Sequence, residues 1–378
     1  MRLLLTGGGT AGHINPALAI AETVKQNDPT TVIEFVGVET GKETDLVPRE
    51  GYKLHFVQSR GLQRSLSPSN IKVLWLAWRS PKLAETQKIL DDFQPDIVIG
   101  TGGYASWPIM KAAADRGIPT ALHESNALAG LTVRRLEKHV DRVWINFAET
   151  AKSLRKKSKI VRVGNPLRGG FGAITRESAR RSMALPDDRR LILSFGGSLG
   201  AEAVNRAVIR LMKDYICKHP ELLCMHATGK RDFAESMKLF REAGLEQYPN
   251  CIMVDYIYDM PLRMAAADAV ISRAGAMTLS ELALMKKASI LIPSPNVTDN
   301  HQYRNAAALA NAGAAILIEE KTLSDGALTN AVKEILENEN KREGLQTQIE
   351  AFADPNANRL IWDEIQKLIK NEKKERRK

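Results

Sequence analysis

The sequence predicts an α/β protein built from two Rossmann-like domains that face a central cleft. Three observations predict it. Short apolar runs alternate with longer helical patterns along the chain, the signature of parallel β/α units. A strand–glycine turn–helix unit occurs twice. The length, 378 residues, also exceeds what one hydrophobic core usually supports.

The strand candidates are Leu3–Thr6, Val32–Val36, Ile97–Gly100, Thr120–His123, Arg142–Asn146, Leu191–Phe195, Leu223–Thr228, Ile252–Asp255, Ala269–Ser272, Ser289–Ile292 and Ala315–Ile318. Between them, stretches such as Pro16–Gln26 and Met277–Met285 repeat apolar residues every three or four positions, as helices do. The run Arg2-Leu-Leu-Leu-Thr-Gly-Gly-Gly-Thr-Ala-Gly12 is echoed by Arg190-Leu-Ile-Leu-Ser-Phe-Gly-Gly-Ser-Leu-Gly200. Val98-Ile-Gly-Thr-Gly-Gly-Tyr104 is echoed by Val270-Ile-Ser-Arg-Ala-Gly-Ala276. Two copies of one topology predict ligand binding at the carboxyl ends of the strands. Gly and Pro in Val163-Gly-Asn-Pro-Leu-Arg168 mark the junction. The expected domains are 1–165 with 352–378, and 166–351, the terminal helical pattern Arg359–Ile369 returning to the first domain.

Composition narrows the class. The chain is 44% apolar and 26% charged, which suits packed cores and argues against disorder or coiled coil. Three cysteines, Cys217, Cys224 and Cys251, include no Cys-x-x-Cys and fit neither a disulfide framework nor a thiolate metal site. The first apolar stretch is too short for a signal peptide, and no run approaches the ~18 residues of a spanning helix. A cytosolic or peripheral membrane location is expected. The net charge of +10, partly from the tail Lys370–Lys378, suits nucleic acid, an anionic lipid or a polyphosphate partner; a frayed, solvated terminus is the better explanation of the tail itself.

Glycines in Gly7–Gly12 let the backbone approach a ligand, and the helix that follows favours an anion. A tight structural turn is the competing explanation. This is not the dinucleotide fingerprint, since Glu34 is only a loose match to its ribose-binding acid. His13, near the positive end of a helix, is expected to stay neutral and to suit a general base, a purely structural histidine being the even alternative. Gly196-Gly197-Ser198-Leu199-Gly200 offers a second cradle, with the Ser198 hydroxyl available to a phosphate oxygen. Arg273 precedes a glycine turn and is expected to neutralise a diphosphate, while Glu281 is expected to accept ribose hydroxyls, an ordinary exposed first-turn acid being the alternative. In His123-Glu124-Ser125-Asn126, Asn126 suits a sugar hydroxyl or acetamido group, or else caps the next helix. His301 and Gln302 follow a strand and suit a hydroxylated ligand; His301 has no companion at metal-ligand spacing. A D-x-D pair occurs nowhere, so neutralisation by amides and arginine, without metal or other cofactor, is expected.

Ile71-Lys-Val-Leu-Trp75-Leu-Ala-Trp78-Arg79 combines two tryptophans with flanking cations, as an interfacial membrane helix does. A buried core helix is the alternative. No nucleic-acid motif accompanies it, and no nucleic acid is expected.

Gly7–His13, His123–Asn126, Gly164–Arg168, Gly196–Gly200, Arg273–Glu281 and His301–Gln302, in this order and spacing, resemble the MurG family. These are the bacterial UDP-GlcNAc:lipid I N-acetylglucosaminyltransferases, and the resemblance spans essentially the whole chain. It implies the GT-B fold, inversion of the anomeric centre and peripheral attachment to the cytoplasmic side of the cell membrane. Thr10, Ala11 and Gly12 would belong to the donor pocket, Asn126 would face GlcNAc, and Arg168 and Ser198 the nucleotide. Ile257 would line the uracil, Ala276, Met277, Thr278, Leu279, Ser280 and Glu281 the diphosphate and ribose, and Gln302 the sugar. His13 would be the base, with Tyr104, His123 and Glu124 on the acceptor side. The chain departs from the family at Ala11 (usually glycine), Ser125 (usually glutamine) and His301 (often glutamine), none of which removes a charged or nucleophilic group. The implied partners are UDP-GlcNAc, lipid I, an anionic membrane surface and cell-wall or division machinery. Three other functions suit a similar architecture: a nucleotide-sugar epimerase, a dinucleotide oxidoreductase and a non-enzymatic UDP-sugar sensor or scaffold.

Overall fold

The computed structural model describes residues 1–60, 69–197 and 200–375, without the side chains of 69–72, 74, 324, 325 and 372–375. The chain divides into two units, Met1–Arg168 with Asp354–Lys378, and Gly169–Ala353.

The first unit holds a seven-stranded sheet. Its strands are β1 (Arg2–Thr6), β2 (Val32–Gly37), β3 (Lys53–Phe56), β4 (Ile97–Gly100), β5 (Thr120–Glu124), β6 (Arg142–Ile145) and β7 (Ile160–Arg162). Their order is β3-β2-β1-β4-β5-β6-β7, every pairing parallel. Covering both faces of such a sheet requires apolar residues on consecutive positions. Leu3 and Leu5 pack on one face with Ile14, Leu18 and Ile361, while Leu4 packs on the other with Leu90, Ile109 and Met110.

The second unit holds β8 (Arg190–Phe195), β9 (Leu222–Ala227), β10 (Cys251–Val254), β11 (Ala269–Ser272), β12 (Ser289–Leu291) and β13 (Ile316–Leu317). Their order is β10-β9-β8-β11-β12-β13, again parallel throughout. Ile192 and Cys224 pack there with the Glu202–Asp214 helix through Val204, Val208 and Leu211.

Both sheets reverse direction of winding at a matching place, between β1 and β4 in one and between β8 and β11 in the other. Crevices at such switch points, beyond the carboxyl ends of the strands, are where open α/β sheets bind ligands. The four glycine turns that echo one another in the sequence follow these four strands.

Two strands escape sequence inspection. Lys53–Phe56 and Ile160–Arg162 form the two margins of the first sheet. A margin is not buried on both sides, so neither strand carries the continuous apolar run that marks β1 or β4.

The helix Ala357–Glu375 belongs to the first unit, where Ile361, Ile365, Leu368 and Ile369 join the cluster of Ile14, Leu18 and Ile20 from the helix Ala11–Asn27. Burying one such side chain stabilises by about 1.5–3 kcal/mol. Asn358 fastens the junction to this helix: its Oδ1 accepts from the Leu167 amide at 3.1 Å, and its Nδ2 donates to the Leu167 carbonyl at 2.9 Å.

Candidate active site

In the first unit, the turn after β1 leads into the helix Ala11–Asn27, which begins five residues before the Pro16 start read from periodicity. Thr10 is its N-cap, and Ala11, Gly12 and His13 form its first turn, so His13 lies on the helix rather than on the loop. Its Nδ1 lies 3.3 Å from the Gly8 carbonyl and 3.2 Å from Thr10 Oγ1. Thr101, in the turn after β4, donates from Oγ1 to the His13 carbonyl at 2.6 Å. Gly103, at φ +80, lies against the same ring; a Cβ there would come within 3.1 Å of His13 Nδ1 and collide with the Gly8 carbonyl. The histidine is therefore seated between two glycine turns at one switch point. Tyr104 is half-buried beside Gly9, and burial, then the nearby Glu43 carboxylate, push its phenol above the usual range.

His123 and Glu124 end β5, and both differ from the expected ligand-facing role. His123 is 0% exposed and donates from Nε2 to the Gly164 carbonyl at 2.9 Å. Burial holds its pKa down at about 4, so it is a neutral brace for the chain junction. Glu124 accepts from the Asn126 amide and Nδ2 at 3.0 and 2.9 Å and from the Gly130 amide at 2.8 Å. Burial raises this carboxyl, against the pull of those donors. Its effect is to set the orientation of half-buried Asn126. The Arg134 charge favours the same carboxylate, and sequence spacing does not reveal this role.

Arg168 also has different company from that expected. Its guanidinium donates to Glu50 at 2.8 and 2.7 Å and to Glu22 at 3.2 Å, all within the first unit. Glu34, the loose match to a ribose acid, lies inside β2 and pairs with His55 and Lys53 on the neighbouring strand.

In the second unit, Gly196, Gly197 and Gly200 follow β8, while Ser198 lies outside the described residues. The helix Ala276–Leu284 follows β11, with Gly275 as its N-cap. Its first intrahelical bond runs from the Leu279 amide to the Gly275 carbonyl at 3.0 Å. The preceding amides of Ala276, Met277 and Thr278 thus stand at the positive end of the helix, which suits an anion. The side chains of Ala276, Leu279 and Ser280 are buried, so these positions contribute through backbone and packing. Glu281 is partly buried, and desolvation pushes its carboxyl up to about 7.

Arg273 departs from the sequence expectation: Nη1 donates to the carbonyls of Ile292 and Pro293, both at 3.1 Å, and Nη2 pairs with Glu320. It braces the loop after β12 instead of presenting a bare cation. That loop carries Asp299 and Asn300 at φ +53 and +50, consecutive left-handed residues, before the helix His301–Asn311. His301 donates from Nδ1 to the Thr298 carbonyl at 2.8 Å, and burial lowers its pKa. Gln302 Oε1 accepts from the Ser294 amide at 2.9 Å. Ile257 is buried in the segment after β10, flanked by exposed Tyr256 and Tyr258.

The segment with Trp75 and Trp78 is a helix, Ser69–Arg79, and the two indoles are 56% and 68% exposed. Arg79 lies 4.6 Å from the Trp75 ring and Lys82 5.5 Å from the Trp78 ring. These two side chains do not belong to a core. Among the described residues, no helix is long and apolar enough to cross a membrane.

Glu43 was invisible to motif reading. It stands at the start of the short helix Glu43–Arg49 and reaches back to the amides of Gly9, at 2.9 Å, and Val38, at 3.0 Å. Glycines at 8, 37 and 41 crowd around it, and that surplus of glycine is the one trace it leaves in the sequence.

Two parallel sheets, each with paired glycine turns at its switch point, define a two-domain Rossmann-like protein, and the family comparisons make it a glycosyltransferase. Residues 3–145 match the glycosyltransferase family 28 N-terminal domain, and residues 191–360 match its C-terminal domain. Two relatives carry the name UDP-N-acetylglucosamine–N-acetylmuramyl-(pentapeptide) pyrophosphoryl-undecaprenol N-acetylglucosamine transferase. The one from Acetivibrio thermocellus is 42% identical over 98% of this chain and 99% of its own. That from Desulforamulus reducens is 40% identical, again over 98% of this chain and 99% of its own. The crystal structure of Acinetobacter baumannii MurG superposes with a TM-score of 0.74 at 27% identity, covering 97% of this chain and 99% of that one. The chain belongs to the MurG family of glycosyltransferases.

Proposed function

We propose that the protein transfers N-acetylglucosamine from UDP-GlcNAc to the 4-hydroxyl of N-acetylmuramic acid in lipid I, forming lipid II with inversion of the anomeric carbon. The observation that carries this reading is the end-to-end identity, 42% over 98% of the chain, with a transferase of that name. The UDP-GlcNAc 2-epimerase of Neisseria meningitidis superposes over 97% of this chain but at only 16% identity, which supports a shared fold and not that activity. The oxidoreductase reading loses its ribose acid, because Glu34 is engaged with His55 and Lys53.

The chemistry is a single displacement. The acceptor 4-hydroxyl attacks the anomeric carbon, His13 takes its proton, and the bond to the UDP oxygen breaks with its electron pair leaving on UDP. Amides at the Ala276–Leu284 helix start and the Gly196–Gly200 turn hold the growing diphosphate charge, an effect worth about 3–4 kcal/mol per donor in comparable sites. The lack of a D-x-D pair in the sequence supports a reaction without a cofactor. Asn126 and Gln302 serve the sugar, Ile257 the uracil, and Glu281 the ribose. The exposed Trp75–Arg79 and Trp78–Lys82 pairs support docking on an anionic membrane at its cytoplasmic face, where cell-wall or division machinery would be the protein partners.

A coupled assay of UDP release, run with and without a lipid I analogue, tests the proposal. Release that requires the acceptor supports transfer. Conversion of UDP-GlcNAc without acceptor would move the reading to an epimerase, and binding without turnover to a sensor.

A further inference from the structure

We propose that Glu43 is a positioning residue for His13, acting through the Gly8–Gly9 peptide unit; the inference rests on His13 being the base.

Glu43 is 1% exposed and pairs with no cation among the described residues. A buried carboxylate is costly unless hydrogen-bonded. Its donors are two backbone amides: Val38 N–H gives to Oε1 at 3.0 Å and Gly9 N–H to Oε2 at 2.9 Å. Room for the side chain is made by removing others. A Cβ on Gly8, Gly37 or Gly41 would collide with the Glu43 side chain.

The Gly9 N–H and the Gly8 C=O belong to one planar trans peptide, so they point to opposite sides. The carboxylate fixes the N–H side. On the other side, the Gly8 carbonyl lies 3.3 Å from His13 Nδ1. A carbonyl only accepts, so this contact places the imidazole proton on Nδ1 and leaves Nε2 as the basic nitrogen. Thr10 Oγ1, 3.2 Å from the same nitrogen, accepts from it as well. Hydrogen bonds in series polarise one another. The negative charge on Glu43 therefore makes the Gly8 oxygen a stronger acceptor and stabilises the imidazolium formed when Nε2 takes the acceptor proton. The arrangement is a carboxylate–histidine pair with a peptide unit inserted between its members.

Two further features support a functional pairing over a purely structural one. The amide that Glu43 engages lies in the turn beside the proposed base, not in a distant loop. That engagement also occupies the Gly9 amide, so this N–H is taken up by Glu43.

The test combines ¹⁵N-histidine NMR of the ligand-free protein with kinetics of Glu43→Gln. In the wild type, His13 is expected as the Nδ1–H tautomer. In Glu43→Gln, the acid limb of the pH–kcat profile should move down by about 0.5–1 unit, and kcat should fall roughly tenfold with donor KM within about twofold. An Nε2–H tautomer in the wild type would overturn the proposal without recourse to any variant. An altered imidazole titration in Glu43→Gln with unchanged kcat would uphold the link from Glu43 to His13 while removing His13 from the base role. Unchanged titration and unchanged kcat together would reduce Glu43 to a loop anchor.

Discussion

Arg168 forks its guanidinium onto Glu50, donating from Nη1 and Nη2 at 2.8 and 2.7 Å. The pair joins the last residue of the first unit's Met1–Arg168 segment to the end of the helix Glu43–Arg49. Both side chains keep more than a third of their surface in solvent, where screening leaves an ion pair about 0–1 kcal/mol. Arg168→Ala is expected to shift the urea-unfolding free energy by less than about 1 kcal/mol. A larger loss would show the fork to be a structural clamp.

With Glu281 on the donor ribose, as proposed above, donor binding is expected to depend on pH. Burial pushes the Glu281 carboxyl up to about 7, which favours the neutral form at pH 6 and the charged form at pH 8. The charged form accepts ribose hydroxyls better. UDP-GlcNAc carries no group titrating in that interval, so calorimetry should find binding up to about tenfold tighter at pH 8 than at pH 6. Glu281→Gln should flatten the dependence.

His13→Ala should lower turnover by roughly 10²–10⁴-fold, the range for loss of a general base. UDP binding should change little, since the uridine contacts proposed above lie elsewhere. Near-normal turnover would return His13 to a structural role.

A Trp75/Trp78/Arg79 triple alanine variant should lose co-sedimentation with anionic vesicles while keeping its fold. The two indoles are exposed, so their removal leaves no cavity in a core. Retained sedimentation would place the membrane contact on another surface.

His123 and His226 should make the fold acid-sensitive. Burial depresses both to about 4, against about 6.5 in the unfolded chain. The unfolded state therefore takes up protons first, and stability falls as pH drops from 6.5 toward 4. Each histidine should cost about 2 kcal/mol at pH 5 relative to pH 7, measured as a lower urea midpoint. A flat profile between those pH values would mean that neither ring is held neutral.

Much of the fold was legible because buried parallel strands announce themselves. Leu3-Leu4-Leu5 and Ile97-Val98-Ile99 need apolar residues on both faces, and glycine turns punctuate them. The marginal strands Lys53–Phe56 and Ile160–Arg162 lacked that pressure and were missed. His13 and Asn126 were legible as candidates because glycine turns and strand ends predict exposure to a ligand. Arg168 and Arg273 were read by charge alone, and charge says nothing about which carboxylate or carbonyl a guanidinium will meet.

By itself, then, the sequence determined the strand–turn–helix grammar, its duplication and the family, since these depend on local periodicity and on turns such as Gly9 and Gly103, whose positive φ and close neighbours leave no room for a side chain. Tertiary structure alone decided the partners. Gly9 and Glu43 are separated by 34 residues and His123 and Gly164 by 41, yet each pair is one hydrogen bond. A buried polar group must find a donor or acceptor wherever the fold brings one within about 3 Å, and no spacing along the chain encodes that encounter.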